Sequence, residues 1–88
     1  MVLFDLLGRR WALGIIWNLH KGSCTFRELQ SLCESVSPTV LNTRLKELRA
    51  TGIVENTPDG YALTDDGRQL YTHLEPLGLW AADWVQKL

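Results

Sequence analysis

Four polar side chains recur at helical spacing in the segment SPTVLNTRLKELRATG, residues 37–52, and together they could contact the edges of nucleic-acid bases. They are Thr39, Asn42, Thr43 and Lys46. Asn can bond adenine through two hydrogen bonds, Lys can reach the acceptor atoms of guanine, and Thr offers a hydroxyl or a methyl group. Thr and Asn are poor helix formers, so they are unusual choices for a helix face that only meets water. Taken alone, the segment fits a base-reading surface and an ordinary solvated face equally well.

Clear end signals predict the helix that would position these side chains, helix 37–51. Ser37 suits the N-cap and Pro38 the first helical turn, while Gly52 supplies the left-handed residue that commonly ends a helix. Ser37 could contact a phosphate as well as cap the helix. At about 100° per residue, an apolar stripe falls on the side opposite the polar residues. It comprises Leu41, Leu45 and Leu48.

Length and composition indicate a single domain over residues 1–88 with 45% apolar content. No apolar run approaches the ~20 residues of a membrane span and no signal-peptide pattern is visible, so we expect a cytoplasmic protein with no membrane partner. Cys24 and Cys33 have no metal-binding spacing with each other or with the two His residues. We therefore expect buried, reduced thiols, and no metal or other cofactor.

The net charge of −1 conceals an asymmetry along the chain. Residues 1–50 contain seven Lys and Arg against four Asp and Glu, whereas residues 51–88 contain two against six. The predicted helix 37–51 lies in the basic part. An anionic partner is therefore expected to meet the first part of the chain.

Three further helices are predicted ahead of helix 37–51, over residues 2–7, 9–20 and 25–33, from apolar periodicity and cap signals. The third begins with Thr25 and carries Glu28 three positions later, which is the pattern of a capping box. A short turn then joins it to helix 37–51. Two helices joined in this way are typical of the helix-turn-helix motif.

The pattern changes after Gly52. The sequence TPDG, residues 57–60, lies between two β-like runs and predicts a hairpin. Thr64 is placed to cap a last helix that we expect to continue to Leu88, with Pro76 as a kink. The order of elements predicts a mostly α (α+β) fold, a winged helix-turn-helix with a two-stranded wing and terminal dimerisation helices.

Several segments together resemble the HxlR-type winged-helix transcriptional regulators, which are relatives of the MarR group. The segments are LLGRRWAL, TFRELQ, SPTVLNTRLKELRATGIV and YALTDDGRQL, in the order in which the family has its counterparts. The resemblance implies a homodimer that binds double-stranded DNA at an operator and represses or activates nearby genes. It names no small-molecule effector for this chain.

Two departures from the family pattern affect what can be carried over. The hairpin sequence TPDGY has no Lys or Arg, whereas the family wing commonly carries a basic residue that reaches the minor groove. Some members sense oxidants or aldehydes through a Cys ahead of the first helix, and Cys24 and Cys33 stand elsewhere. Neither wing contacts nor thiol sensing therefore transfers to this chain by position.

Five further cations are candidates for contacts with the DNA backbone. Arg44 lies beside the Leu stripe, where either a phosphate contact or an ion pair with a carboxylate of the same chain is possible. The other four are candidates by charge alone, with a solvated face as the alternative for each. They are Arg9, Arg10, Lys21 and Arg27.

Both chain ends carry more apolar side chains than a core of this size can readily cover. Packing the two ends across a twofold axis would bury them in a dimer interface, and packing within one chain is the alternative. The interface candidates are Leu3, Phe4, Leu7, Leu77, Trp80, Trp84 and Leu88.

Two function classes compete with DNA reading. The sequence has no Ser-His-Asp set, phosphate loop or paired-carboxylate spacing, so we do not expect an enzyme. The acidic second part and the uncharged wing instead leave open a winged-helix module that contacts proteins without sequence-specific DNA binding.

Overall fold

The computed structural model describes residues 2–88 and shows there five helices and one two-stranded antiparallel sheet. This mostly helical arrangement confirms the predicted winged helix-turn-helix order. The elements are α1 (Val2–Leu7), α2 (Ala12–Leu19), α3 (Phe26–Leu32), α4 (Pro38–Ala50), β1 (Val54–Thr57), β2 (Gly60–Leu63) and α5 (Asp65–Val85).

Side-chain caps define both helices of the helix-turn-helix motif, as predicted. Thr25 and Glu28 form a capping box at α3, in which each side chain accepts the other residue's amide N–H, at 3.1 and 2.9 Å. The Ser37 hydroxyl accepts the Val40 amide at 3.1 Å and caps α4. In the connecting turn Ser35 has a left-handed backbone, with φ of 70°. These local bonds fix where α3 and α4 begin.

The core lies between α2, α3 and the inner face of α4. Because an isolated 13-residue helix is marginal in water, burial of its apolar stripe must supply much of the stability of α4. The largest side chains that are almost fully inaccessible to solvent are Ile15, Ile16, Leu29, Leu41, Leu45 and Leu48. The predicted Leu stripe of α4 is therefore confirmed as the core face.

The wing is a short hairpin whose turn contains only Pro58 and Asp59. Its register runs from the pair Val54–Leu63 to the pair Thr57–Gly60. An additional bridge joins the hairpin to the segment before α3. There the backbones of Cys24 and Tyr61 exchange two hydrogen bonds of 2.9 and 2.7 Å. The hairpin was predicted from sequence, but this bridge was not.

The second helix begins later than predicted, at Ala12 rather than Arg9. Trp11 precedes it with φ 76° and ψ −10°, a left-handed conformation that is uncommon for a bulky residue. Residues 8–11 therefore form a turn, hereafter called the linker, between α1 and α2.

The last helix also differs from the prediction at its end. It passes through Pro76 without interruption and ends at Val85, so Leu88 lies beyond the helix in a terminal turn. The prediction of a helical stripe reaching Leu88 is therefore wrong at this last position. Once the helix ends, a side chain no longer follows the period that placed Leu88 beside Trp84.

Gly67 marks the closest approach between α5 and the start of the wing. Its amide donates to the capping hydroxyl of Thr64 at 3.0 Å, and the backbone amide of Thr64 donates to the carbonyl of Ile53 at 3.0 Å. A Cβ atom added at Gly67 would overlap that carbonyl oxygen. Glycine is therefore required here by lack of space.

Gly67→Ala is expected to lower the free energy of unfolding by about 1–3 kcal/mol, because the added methyl group forces backbone apart. Gly14→Ala is the matched control, since a Cβ there meets no atom within 4 Å. That change should raise stability by about 0.5–1 kcal/mol through helix propensity. Urea denaturation measures both, and equal midpoints for the two variants would contradict the crowding at Gly67.

Candidate nucleic-acid interface

The outer face of α4 presents the four polar residues singled out from the sequence. Thr39, Asn42, Thr43 and Lys46 are all exposed, and they lie opposite the buried Leu stripe. At 3.6 residues per turn they occupy a sector of about 100° around the helix. The structure thus brings together four hydrogen-bonding side chains on one face.

Internal hydrogen bonds limit what two hydroxyl groups of this region can offer. The Thr43 hydroxyl donates to the Thr39 carbonyl at 2.9 Å, which leaves its methyl group and its oxygen lone pairs for a partner. The Ser37 hydroxyl accepts from Val40, so its own hydrogen can still be donated. Ser37 also stands at the positive end of the α4 dipole, where a phosphate is favoured.

Arg49 is a further candidate that the sequence pattern alone did not single out. It is exposed and follows Asn42 by seven residues, close to two helical turns, so both lie on the same side of α4. From the sequence it counts only as one of the seven cations in residues 1–50. The seven-residue spacing is the signal that could have identified it.

Arg44 and Arg9 are engaged by one carboxylate, that of Glu47. Arg44 Nη1 lies 2.8 Å from Glu47 Oε1, and Arg9 Nε lies 3.3 Å from Glu47 Oε2. Arg44 Nε also donates to the carbonyl of Arg10 at 2.9 Å. We call these bonds the Glu47 network. Of the two alternatives for Arg44, a phosphate contact or an ion pair within the chain, the structure shows the ion pair. The sequence analysis did not identify Glu47 as its partner.

Two other candidate cations are held by aromatic rings. Lys21 Nζ lies 3.5 Å from the ring centre of Trp17, and the guanidinium of Arg10 lies 5.4 Å from that of Trp11. Arg27 is exposed on α3. The five cations proposed as backbone contacts are thus in three different environments.

The wing carries no positive charge. Residues 51–67 contain no Lys or Arg, and the exposed side chains of Glu55 and Asp59 make the hairpin acidic. Phosphate groups close to this hairpin would be repelled. The electrostatic attraction for an anionic partner therefore comes mainly from residues 1–50, which hold seven of the nine Lys and Arg residues.

Large apolar side chains remain exposed at both chain ends. We call Phe4, Leu77, Trp80 and Trp84 the terminal apolar surface; their exposed fractions are 67, 58, 60 and 46%. Trp80 and Trp84 stack with ring centres 5.8 Å apart. Among the other predicted interface residues, Leu3 and Leu7 are half-buried, Leu7 packs against the core, and Leu88 is exposed beyond α5.

Both cysteines are buried, as expected, although Cys24 lies before α3 and Cys33 caps its end. Burial raises the pKa of each thiol, and the charge of Glu28 raises that of Cys24 further. The side-chain amide of Asn18 points at Cys33, with Nδ2 3.8 Å from Sγ, and this contact opposes part of the rise in the Cys33 pKa. At neutral pH both groups are therefore neutral thiols.

Within residues 2–88, no group of three or more His, Cys, Asp or Glu side chains is arranged to hold a metal ion. In the same part of the chain, no helix combines the length and the apolar character needed to cross a membrane.

The arrangement of α3, α4 and the β1–β2 hairpin defines a winged helix-turn-helix domain, with α4 in the position of the recognition helix. The model of the HxlR-like helix-turn-helix family matches residues 6–88. The chain therefore belongs to this family and is a DNA-binding transcriptional regulator.

Two curated relatives come from Bacillus subtilis (strain 168). The HTH-type transcriptional regulator YvaP is 36% identical over 88 residues, covering 92% of this chain and 82% of YvaP. The HTH-type transcriptional regulator YodB is also 36% identical, over 90 residues, covering 94% of this chain and 80% of YodB.

Solved structures agree with this assignment. Quinone-bound YodB from B. subtilis superposes with a TM-score of 0.86 and 35% identity, covering 93% of both chains. A possible HxlR family transcriptional factor from Thermoplasma volcanium GSS1 gives a TM-score of 0.85 and 30% identity, covering 96% of this chain and 82% of that one.

The raised thiol pKa values predict a slow, pH-dependent reaction with iodoacetamide, because only the thiolate reacts. At a pH of about 7.5, native protein should be alkylated much more slowly than protein unfolded in guanidinium. The native rate should keep rising at pH values where the unfolded rate has levelled off.

The same shifts predict the pH dependence of stability. An unfolded thiol loses its proton near its ordinary pKa of about 8.5 while the folded thiol keeps it, so stability should fall as pH rises above that value. Cys24→Ser and Cys33→Ser together should remove this part of the decline. Equal alkylation rates for native and unfolded protein at neutral pH would refute the assignment of both thiols as buried and neutral.

Proposed function

We propose that the protein acts as a homodimer in the cytoplasm and reads an operator sequence in the major groove of double-stranded DNA through α4. The observation that carries the proposal is the contrast between the two faces of α4. Leu41, Leu45 and Leu48 fix one face in the core, and the opposite face consists of exposed residues able to bond base edges.

The chemistry of each exposed side chain suggests a separate role. Asn42 can donate to and accept from adenine, and Lys46 can donate to the acceptors of guanine. The hydroxyl of Thr39 can either donate or accept a hydrogen bond. Thr43 has its hydroxyl hydrogen engaged within the helix, which favours contact of its methyl group with a thymine methyl.

Phosphate contacts are assigned to groups that can reach outward from α3 and α4. Ser37 at the start of α4, Arg49 near its end and Arg27 on α3 are all exposed. Arg10 and Lys21, each over an aromatic ring, remain candidates for such contacts only if DNA draws them away. Arg9 and Arg44 are assigned mainly to the Glu47 network, in which their charge is partly neutralised.

Dimerisation is supported by the terminal apolar surface. Aromatic side chains bury roughly 150–250 Å² each, so leaving Phe4, Trp80 and Trp84 in water forfeits substantial stabilisation. A twofold axis through this surface would cover it and place two copies of α4 about one DNA turn apart, roughly 34 Å. We therefore include Leu3, Phe4, Leu7, Leu77, Trp80, Trp84 and Leu88 in the proposed interface.

The acidic wing favours a second candidate function, a winged-helix module that contacts proteins. Glu55 and Asp59 are poorly suited to lie against phosphates. The relatives are transcriptional regulators, which favours DNA binding and argues against an enzyme. The experiment below separates the two candidates.

Asn42→Ala and Thr43→Ala should weaken binding to the preferred duplex by about 1–3 kcal/mol and relax the choice of base at particular positions. The preferred duplex is first selected from random DNA. Asn56→Ala, on the exposed wing, is the matched control and should leave affinity nearly unchanged. Arg27→Ala should weaken binding to all duplexes alike and reduce the salt slope by about one.

Titrations against preferred and scrambled duplexes at two salt concentrations measure these effects. If Asn42→Ala and Thr43→Ala lost equal affinity on both duplexes, base reading by α4 would be refuted. If the wild type bound neither duplex at low salt, the protein-contact function would replace the proposal.

Leu77→Ala and Leu32→Ala form a matched pair for the proposed interface, because the two leucines are 58 and 55% exposed. Leu77→Ala should weaken the dimer by about 1–2 kcal/mol, and Trp84→Ala by about 2 kcal/mol or more if Trp84 is an anchor of the interface. Leu32→Ala, at the end of α3, should not affect assembly. Sedimentation over a range of concentrations measures the dimer constant, and a monomeric wild type at tens of micromolar would end the dimer proposal.

A further inference from the structure

The Glu47 network connects the recognition helix directly to the linker. Arg9 and Arg10 belong to the linker between α1 and α2, whereas Arg44 and Glu47 lie on α4. Arg44 donates to the Glu47 carboxylate on its own helix and also to the Arg10 carbonyl in the linker. Glu47 then also holds Arg9.

The network lies on the flank of α4, between the core face and the exposed polar face. At about 100° per residue, Arg44 and Glu47 fall to one side of the sector that holds Asn42 and Lys46. The exposed fractions of the Arg44 and Glu47 side chains are 17 and 29%. Neither residue therefore belongs to the surface proposed to read bases.

The linker bonded by this network has an unusual backbone. Trp11 keeps a left-handed conformation, which for a bulky side chain persists only when its surroundings hold it in place. Its ring packs against the core, and the carbonyl of the preceding residue is the one that Arg44 holds. The linker is thus fixed from both sides, by the core and by α4.

We propose that Glu47 is a positioning residue that, through Arg9 and Arg44, fixes α4 relative to α1 and thereby selects the spacing of operator half-sites. The inference rests on the proposed function, because the exposed Phe4 of α1 is one of the residues assigned to the proposed dimer interface. The position of the recognition helix relative to the twofold axis is then set by α1 and the linker as well as by the core.

DNA geometry makes such a connection consequential. Adding one base pair between half-sites moves the second site by about 3.4 Å along the axis and turns it by about a tenth of a full rotation. A dimer with rigidly placed recognition helices fits one spacing well and its neighbours poorly. Loosening the linker should let the same two helices adapt to neighbouring spacings without any change in the bases they read.

The test uses two variants that perturb the network differently. Glu47→Gln removes the carboxylate charge, and Arg44→Lys keeps the charge but loses the fork that bonds Glu47 and Arg10 together. Glu34→Gln, in the turn before α4, is the control for loss of an acidic charge near the DNA-binding face. Circular dichroism and sedimentation first establish that all three keep the fold and assembly of the wild type.

Two readouts follow. Amide hydrogen exchange of the linker and the first residue of α2, residues 8–12, in the DNA-free protein reports whether the network holds the linker, and it should accelerate about three- to fivefold in both network variants. Affinity is then measured for one half-site and for paired half-sites whose separation varies one base pair at a time. Discrimination between the best spacing and its neighbours should fall about three- to fivefold, with single half-site affinity little changed.

Each possible result tests a different part of the proposal. Unchanged linker exchange in both variants would refute the fixing of the linker by the network. Faster exchange with an unaltered spacing profile would refute selection of spacing by Glu47 while leaving DNA reading by α4 intact. A wild type that binds no duplex would refute the proposed function and with it the spacing role, whatever the exchange measurement shows about the linker.

Discussion

Burial of the leucine face of α4 is the constraint on which the rest of the structure depends. Leu41, Leu45 and Leu48 have at most 1% of their surface exposed. Each buried Leu contributes roughly 1.5–3 kcal/mol, more than the single hydrogen bonds that cap the helix. A rotation of α4 by one residue, about 100°, would expose this face, so the core fixes which side chains point outward. The direction of Asn42 and Lys46 is therefore a consequence of core packing rather than of any contact they make themselves.

Elements whose ends are set by local bonds could be predicted from the sequence. The caps at Thr25, Ser37 and Thr64 act within three residues, and all three helices begin where the sequence indicated. The start of α2 could not be predicted in this way. Trp11 is held in its left-handed conformation within a linker that Arg44 contacts from 34 residues away, and no pattern near Trp11 reveals that contact. Apolar periodicity simply continued through the turn.

The residues of the candidate interface also fall into those that local geometry predicts and those that depend on distant neighbours. Periodicity placed Thr39, Asn42, Thr43 and Lys46 on one face because helix geometry is local, and they are all exposed. The environments of the cations depend instead on neighbours brought together by folding. Lys21 lies over Trp17, only one helical turn away, yet it was grouped by charge with Arg9, which pairs with Glu47 from the linker. Charge alone did not separate these cases, because a long side chain can reach several partners.

The division of charge between the basic helices and the acidic wing also has a kinetic consequence. Binding to DNA of any sequence is driven largely by release of counterions, and its strength grows with the number of phosphates that cations neutralise. Here Glu47 already engages two arginines, and residues 51–67 supply no cation at all. We therefore expect such a protein to dissociate readily from DNA that lacks its operator. Its search for the operator should then rely more on repeated excursions through solution than on sliding along the duplex.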